Sequence, residues 1–227
     1  MLCHHAAVEF DGHIMGGSFA SGDRIVAGRW FRSPFGPFAD IMWCRPDGRR
    51  VLLAPDERVR DFVARHYAFD DLRVAHVRVE RAEAGVIEAT AGPIRLVLRP
   101  GGTSLASTML AVRPRRLRTA KRWIGIEDRV FRPILRPLFA AAGVRTTGRT
   151  LAGTREWYAI HDFRTAAATA TIDGVTLGPP APGAPAGFGF SEFPAEPALV
   201  RVTSFVELDV ASGFEAPVPR GARASGR

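Results

Sequence analysis

The sequence has no asparagine and no glutamine, and a single lysine, Lys121, stands against thirty arginines. Alanine, glycine and proline abound instead, the skew expected when A-rich codons are displaced in a G+C-rich genome. The arginine count and the net charge of +8 therefore do not by themselves point to nucleic acid. No nucleic-acid-binding module is recognisable either, so that partner is not expected. Cysteine is equally scarce. Cys3 and Cys44 are too few for a disulfide framework, and both are expected to be free thiols in a reducing compartment. No stretch of 18 uncharged apolar residues offers a membrane span. Met1 to Gly12 lacks a basic segment leading into an apolar run, so the expected location is cytoplasmic.

Several chemistries are missing by motif. Gly16, Gly17 and Gly22 lack the strand-to-helix setting of a dinucleotide loop, and no phosphate loop or G-x-S-x-G elbow occurs. Cys3, His4, His5, His13 and Cys44 are zinc-ligand types without C-x₂-C or H-x₃-H spacing. No metal and no cofactor are expected. His66 continues an apolar helix face and reads as a core histidine; His76 carries no motif.

What is present points to strands. The 227 residues suffice to bury roughly 70% of the unfolded chain's surface in one core. Arg24 to Trp30 reads as a strand, followed by the aromatic loop Ser33 to Phe38. Ala39 to Cys44 and Arg49 to Leu53 flank Asp47-Gly48, and Thr169 to Ile172 and Val175 to Leu177 flank Asp173-Gly174. Both pairs predict hairpin turns. Pro55 opens a predicted helix whose Val59, Phe62, Val63 and His66 share one face. Leu72 to Glu80, Val86 to Ala91 and Ile94 to Arg99 read as three consecutive antiparallel strands. Between residues 103 and 142 the period shifts to that of helices, interrupted by Pro114, Pro133 and Pro137. The expectation is an α+β fold over 6–210, built as a single domain. A curved antiparallel sheet, or a barrel or half-barrel, would be formed by strand-rich halves 6–100 and 144–210 around a helical excursion. Residues 212–227 read as a disordered tail.

Gly28-Arg29-Trp30 with Ser33 to Asp40, Arg155 to Tyr158 with Asp162, and Phe188 to Ser204 together resemble an uncharacterised family of bacterial proteins. The architecture is similar to the acetoacetate-decarboxylase-like and calycin β-barrels, which hold small ligands in a curved sheet. That resemblance implies ligand binding. The decarboxylases' lysine pair has no counterpart here, so their Schiff-base chemistry is not carried over.

Chemistry-bearing residues concentrate in Gly153 to Phe163. On a strand, alternation places Glu156, Tyr158, Ile160 and Asp162 on one face, and Trp157, His161 and Phe163 on the other. Glu156, Tyr158, His161 and Asp162 are the candidate acid–base residues of a lyase or isomerase. They could equally be packed or solvated side chains. Trp30, Phe35, Phe38 and Trp157 are the candidate walls of a site for a small apolar or amphipathic ligand, the leading functional expectation. Residues 113–136 hold nine basic and two acidic residues. There Arg113, Arg115, Arg116, Arg118, Lys121 and Arg122 are candidate contacts to an anion or an anionic membrane surface. A solvated helix face enriched in arginine by codon usage is the plainer alternative.

Overall fold

Two Asp-Gly pairs fold the chain back on itself. A computed structural model describes residues 7–82, 85–102, 108 and 144–208. In chain order its elements are β1 (Ala7–Ser18), β2 (Arg24–Arg32), β3 (Phe38–Cys44), β4 (Arg50–Ala54), α1 (Glu57–His66), β5 (Asp71–Val74) and β6 (Val77–Arg81). There follow β7 (Ile87–Ala91), β8 (Ile94–Pro100), β9 (Thr147–Arg149), β10 (Arg155–Ile172), β11 (Val175–Thr176) and β12 (Ala198–Glu207). Asp47-Gly48 lies in the turn joining antiparallel β3 and β4, where Gly48 has φ 82°. Asp173 and Gly174, at φ 50° and 77°, form the two-residue turn between β10 and β11. Both central residues there are left-handed, as the strand twist requires.

The strands form one sheet in the order β5-β4-β3-β2-β1-β12-β10-β8-β7-β6. Its two edge strands, β5 and β6, are separated in the chain by Ala75 and His76 alone. Two residues cannot span an open ten-strand sheet, since strands lie about 4.8 Å apart. The sheet therefore curls into a half-barrel that brings its ends together. Long β10 makes the bend: Arg155 to Thr165 runs beside β12 or β9, and Ala166–Ile172 pairs with β8.

This arrangement corrects the expectation of one strand over Leu72 to Glu80. β4, α1 and β5 form a crossover in which β5 pairs parallel to β4, while β6 begins the antiparallel arm at the other end. It also corrects the fold class, because the described residues are mostly β rather than clearly α+β. The expected helical segment 103–142 (Thr108 apart) and the tail 212–227 lie outside the described residues.

Strand alternation gives the sheet two faces. On the inner face Met15, Ile25, Ile41, Val51 and Leu53 of one arm meet Val79, Ala89, Leu96 and Leu98 of the other. On the outer face α1 packs Val59, Phe62 and Val63 against Val8, Phe10, Leu52, Ala54 and Val206. Burying each of those large side chains stabilises by about 1.5–3 kcal/mol. The helix begins two residues after Pro55, because Asp56 caps it: Oδ1 accepts the Val59 N–H at 2.9 Å.

Candidate functional site

Tyr67 leaves the C-terminal end of α1 in an extended conformation, which aims its ring down onto β10. There its hydroxyl donates to Glu156 Oε1. Ser204, the β12 neighbour of Tyr158, donates to the same oxygen at 2.9 Å. The Tyr67 and Tyr158 hydroxyls lie 3.1 Å apart. Since the Tyr67 proton is committed to Glu156, Tyr158 donates to the Tyr67 oxygen. A proton chain thus runs Tyr158 to Tyr67 to Glu156.

Glu156 is fully buried, and its second oxygen, Oε2, has no hydrogen-bond partner among the described residues. Burial disfavours the carboxylate more than its hydroxyl donors, Tyr67 and Ser204, favour it, so the pKa rises from 4.5 to about 7. Burial, and then the neighbouring Glu156 charge, push both tyrosines well above their ordinary value. Both phenols stay protonated and remain donors.

A loop closes this cluster from outside. Phe190 stacks on Tyr158 with ring centroids 5.4 Å apart. Gly189 passes so near Tyr67 that a Cβ there would lie 2.8 Å from the ring, and Gly148 is pressed against Phe190. The loop is held by Glu192, which accepts the N–H groups of Ala186 and Gly187 and pairs with buried Arg24 at 3.5 Å.

The other two acid–base candidates lie elsewhere. β10 carries a bulge between Ile160 and Asp162, so alternation breaks at His161. Asp162 turns to the inner face opposite Arg201, where it pairs with Arg164 at 2.7 Å. Phe163 crosses to the outer face, packing with Tyr158 and Ile160. The expected faces of Asp162 and Phe163 are thereby reversed. His161 Nε2 lies 2.8 Å from Thr203 Oγ1, and Thr203 donates to Asp11 Oδ1 at 3.0 Å. With the Thr203 proton used, Nε2 of His161 is the donor.

The candidate ligand walls also divide. Trp30, Phe35 and Phe38 pack with Phe10 and Phe62 in the outer-face core. Trp157 stacks on Phe205 on the opposite face, at 5.2 Å. Trp30 donates to buried Asp40 at 3.0 Å, and burial lifts that carboxyl to about 6. The basic candidates Arg113, Arg115, Arg116, Arg118, Lys121 and Arg122, like Cys3, His4 and His5, lie outside the described residues. Cys44 carries a free thiol. Among the described residues no cluster of three metal-ligating side chains occurs, and no helix is long and apolar enough to cross a membrane.

Sequence reasoning missed Tyr67, Ser204, Asp11 and Arg201. Asp11 accepts both Arg201 Nη atoms, at 2.7 and 2.8 Å. These contacts bridge 190 positions, and no local pattern announces them. No protein-family model, curated protein or solved structure significantly matches this chain.

Proposed function

We propose that this protein binds a small apolar or amphipathic molecule on the outer face of its curved sheet, under the loop that carries Phe190. The supporting observation is Glu156 Oε2, a fully buried carboxyl oxygen without a partner among the described residues. A buried polar atom left unpaired costs about 1–3 kcal/mol, which a ligand donor would relieve. The aromatic rings of Tyr67, Tyr158 and Phe190 around it suit an apolar body carrying one N–H or O–H group. The inner face between the sheet arms is already filled by core side chains.

The neutral fluorophore N-phenyl-1-naphthylamine tests this reading, since it offers an apolar body and a single N–H donor. Saturable fluorescence enhancement is expected, with affinity lowered about tenfold in Tyr67→Phe and Glu156→Ala. Enhancement that does not saturate, or that ignores both substitutions, rejects the site.

A second reading, an acid–base enzyme, is favoured by one observation. At about 7, the Glu156 pKa leaves both protonation states populated at neutral pH, as a general acid or base requires. Its test is proton–deuterium exchange at an acidic C–H bond of a bound ligand. Exchange should vanish in Glu156→Gln while binding persists.

A further inference from the structure

On the inner face, one layer beyond the core residues Met15, Ala27 and Leu199, strand register places His13 beside Arg29 on one side and Arg201 on the other. Both guanidinium groups lie over the Phe31 ring, Arg29 at 5.4 Å and Arg201 at 5.6 Å from its centroid. His13 meets the same ring edge-on at 5.1 Å. Arg81, the last residue of β6, comes from an edge of the sheet five strands away, yet its charge also acts on His13. Two guanidinium groups thus flank one imidazole by register and ring contact, and the curl of the sheet lets the charge of Arg81 reach it as well.

The opposing charge is too small. Asp11 and Asp162 face this layer, but the Asp11 oxygens are taken up by Arg201, Thr203 and Arg32, and Asp162 pairs with Arg164. Among the described residues Arg29 and Arg81 have no carboxylate partner, whereas Arg78, two residues before Glu80 on the same strand, pairs with it at 2.6 Å. Phe31 is more than a third exposed, so the layer is reached from solvent. Uncompensated guanidinium groups beside low-dielectric walls concentrate anions, and their planar forks match the oxygens of carboxylate and phosphate.

We propose that the mouth of the half-barrel, at His13, Arg29, Arg81 and Arg201, binds the oxyanion of a small molecule, a carboxylate or phosphate group. Arg29 and Arg81 supply the two open guanidinium forks. Arg201, held by Asp11, adds charge and fixes the Phe31 ring. His13 offers one ring N–H and lines the base of the site. This site is on the opposite face from Glu156 and does not depend on the ligand proposed there.

Titration calorimetry with inorganic phosphate and with acetate at low ionic strength, joined to NMR of His13, tests the assignment. Saturable binding of at least one probe is expected. Burial and then the charges of Arg201, Arg29 and Arg81 hold the His13 pKa down to about 4, against the smaller opposite pull of Asp11. A bound anion must therefore raise it. Arg29→Gln and Arg81→Gln should each weaken binding about tenfold, the effect of one charge-assisted contact. Arg78→Gln should change nothing. The tighter of the two probes identifies phosphate or carboxylate as the preferred group. Arg81 is exposed, so its replacement leaves folding intact even if Arg29→Gln does not. Absence of saturable binding by both probes overturns the proposal. So does binding that survives Arg81→Gln or leaves the His13 titration unmoved.

Discussion

Tyr67 and Glu156 stand 89 positions apart in the chain, and the phenol of the first donates to the buried carboxyl of the second. That bond ties the end of α1 to the middle of the sheet. Tyr67→Phe removes it and also leaves the Tyr158 hydroxyl without its acceptor. The expected destabilisation is about 2–3 kcal/mol, against about 1 kcal/mol for Tyr158→Phe, which removes only the outer link. Urea denaturation measures both. In a Glu156→Gln background the Tyr67→Phe cost should shrink, because the charge-assisted part of the bond is gone. Equal costs for the two tyrosines would contradict the proton chain.

The raised Glu156 pKa has a definite sign in stability. The folded carboxyl keeps its proton up to about pH 7, whereas the unfolded one loses it near 4.5. The favourable contribution is complete below 4.5 and is lost as pH rises through 7. A shift of this size corresponds to roughly 3 kcal/mol. Glu156→Gln should therefore narrow the stability difference between pH 5 and pH 8 by that order. Unfolding curves at the two pH values give the answer, and an unchanged difference would mean that Glu156 ionises normally in the fold.

Gly148, on β9, is the seat of the ring that covers the cluster. A methyl group there would collide with the Phe190 ring, and β9 is fixed by its pairing with β10. The ring has to give way, because the backbone on the other side cannot. Gly148→Ala should destabilise by about 1–3 kcal/mol and speed proteolysis between Gly187 and Phe193. Protection equal to the parent protein would show that the loop does not depend on this contact.

The legible parts of this fold are those in which a local rule decides. Asp47-Gly48 and Asp173-Gly174 turn where left-handed backbone is needed, and Val59, Phe62, Val63 and His66 are buried together on α1. Glu156 and Tyr158 share a face because two residues separate them on a strand. The same alternation misplaces Asp162 and Phe163, since one extra residue at His161 shifts every side chain after it. Ala75 and His76 look like the middle of a strand, and only the sheet's closure makes them its corner. Tyr67 and Ser204 carry no signal toward Glu156 in the sequence; three distant segments have to pack before the cluster exists.

His13 and Glu156 titrate in overlapping ranges with opposite consequences. His13 is lowered from 6.5 to about 4, by burial and then by the charges of Arg201, Arg29 and Arg81. Its unfolded form takes up a proton that the folded form refuses, so its contribution is present above 6.5 and lost as pH falls through 4. Glu156 does the reverse between 4.5 and 7, and Asp40, raised from 3.8 to about 6, follows it. In the parent protein His13 opposes Glu156 and Asp40, so stability between pH 4.5 and 6.5 should fall less steeply than those two carboxyls alone would make it. Replacing one partner unmasks the other. His13→Gln should leave a protein whose stability falls steadily from pH 4.5 to 7, under Glu156 and Asp40. Glu156→Gln should leave a shallower profile, with Asp40 and His13 in near balance. Partial exposure of His13 screens its share, so the first change should be smaller than the 3 kcal/mol scale of the shift itself. Denaturation midpoints at half-unit pH steps separate these profiles, and a His13→Gln profile parallel to the parent's would place His13 in contact with water rather than within the arginine layer.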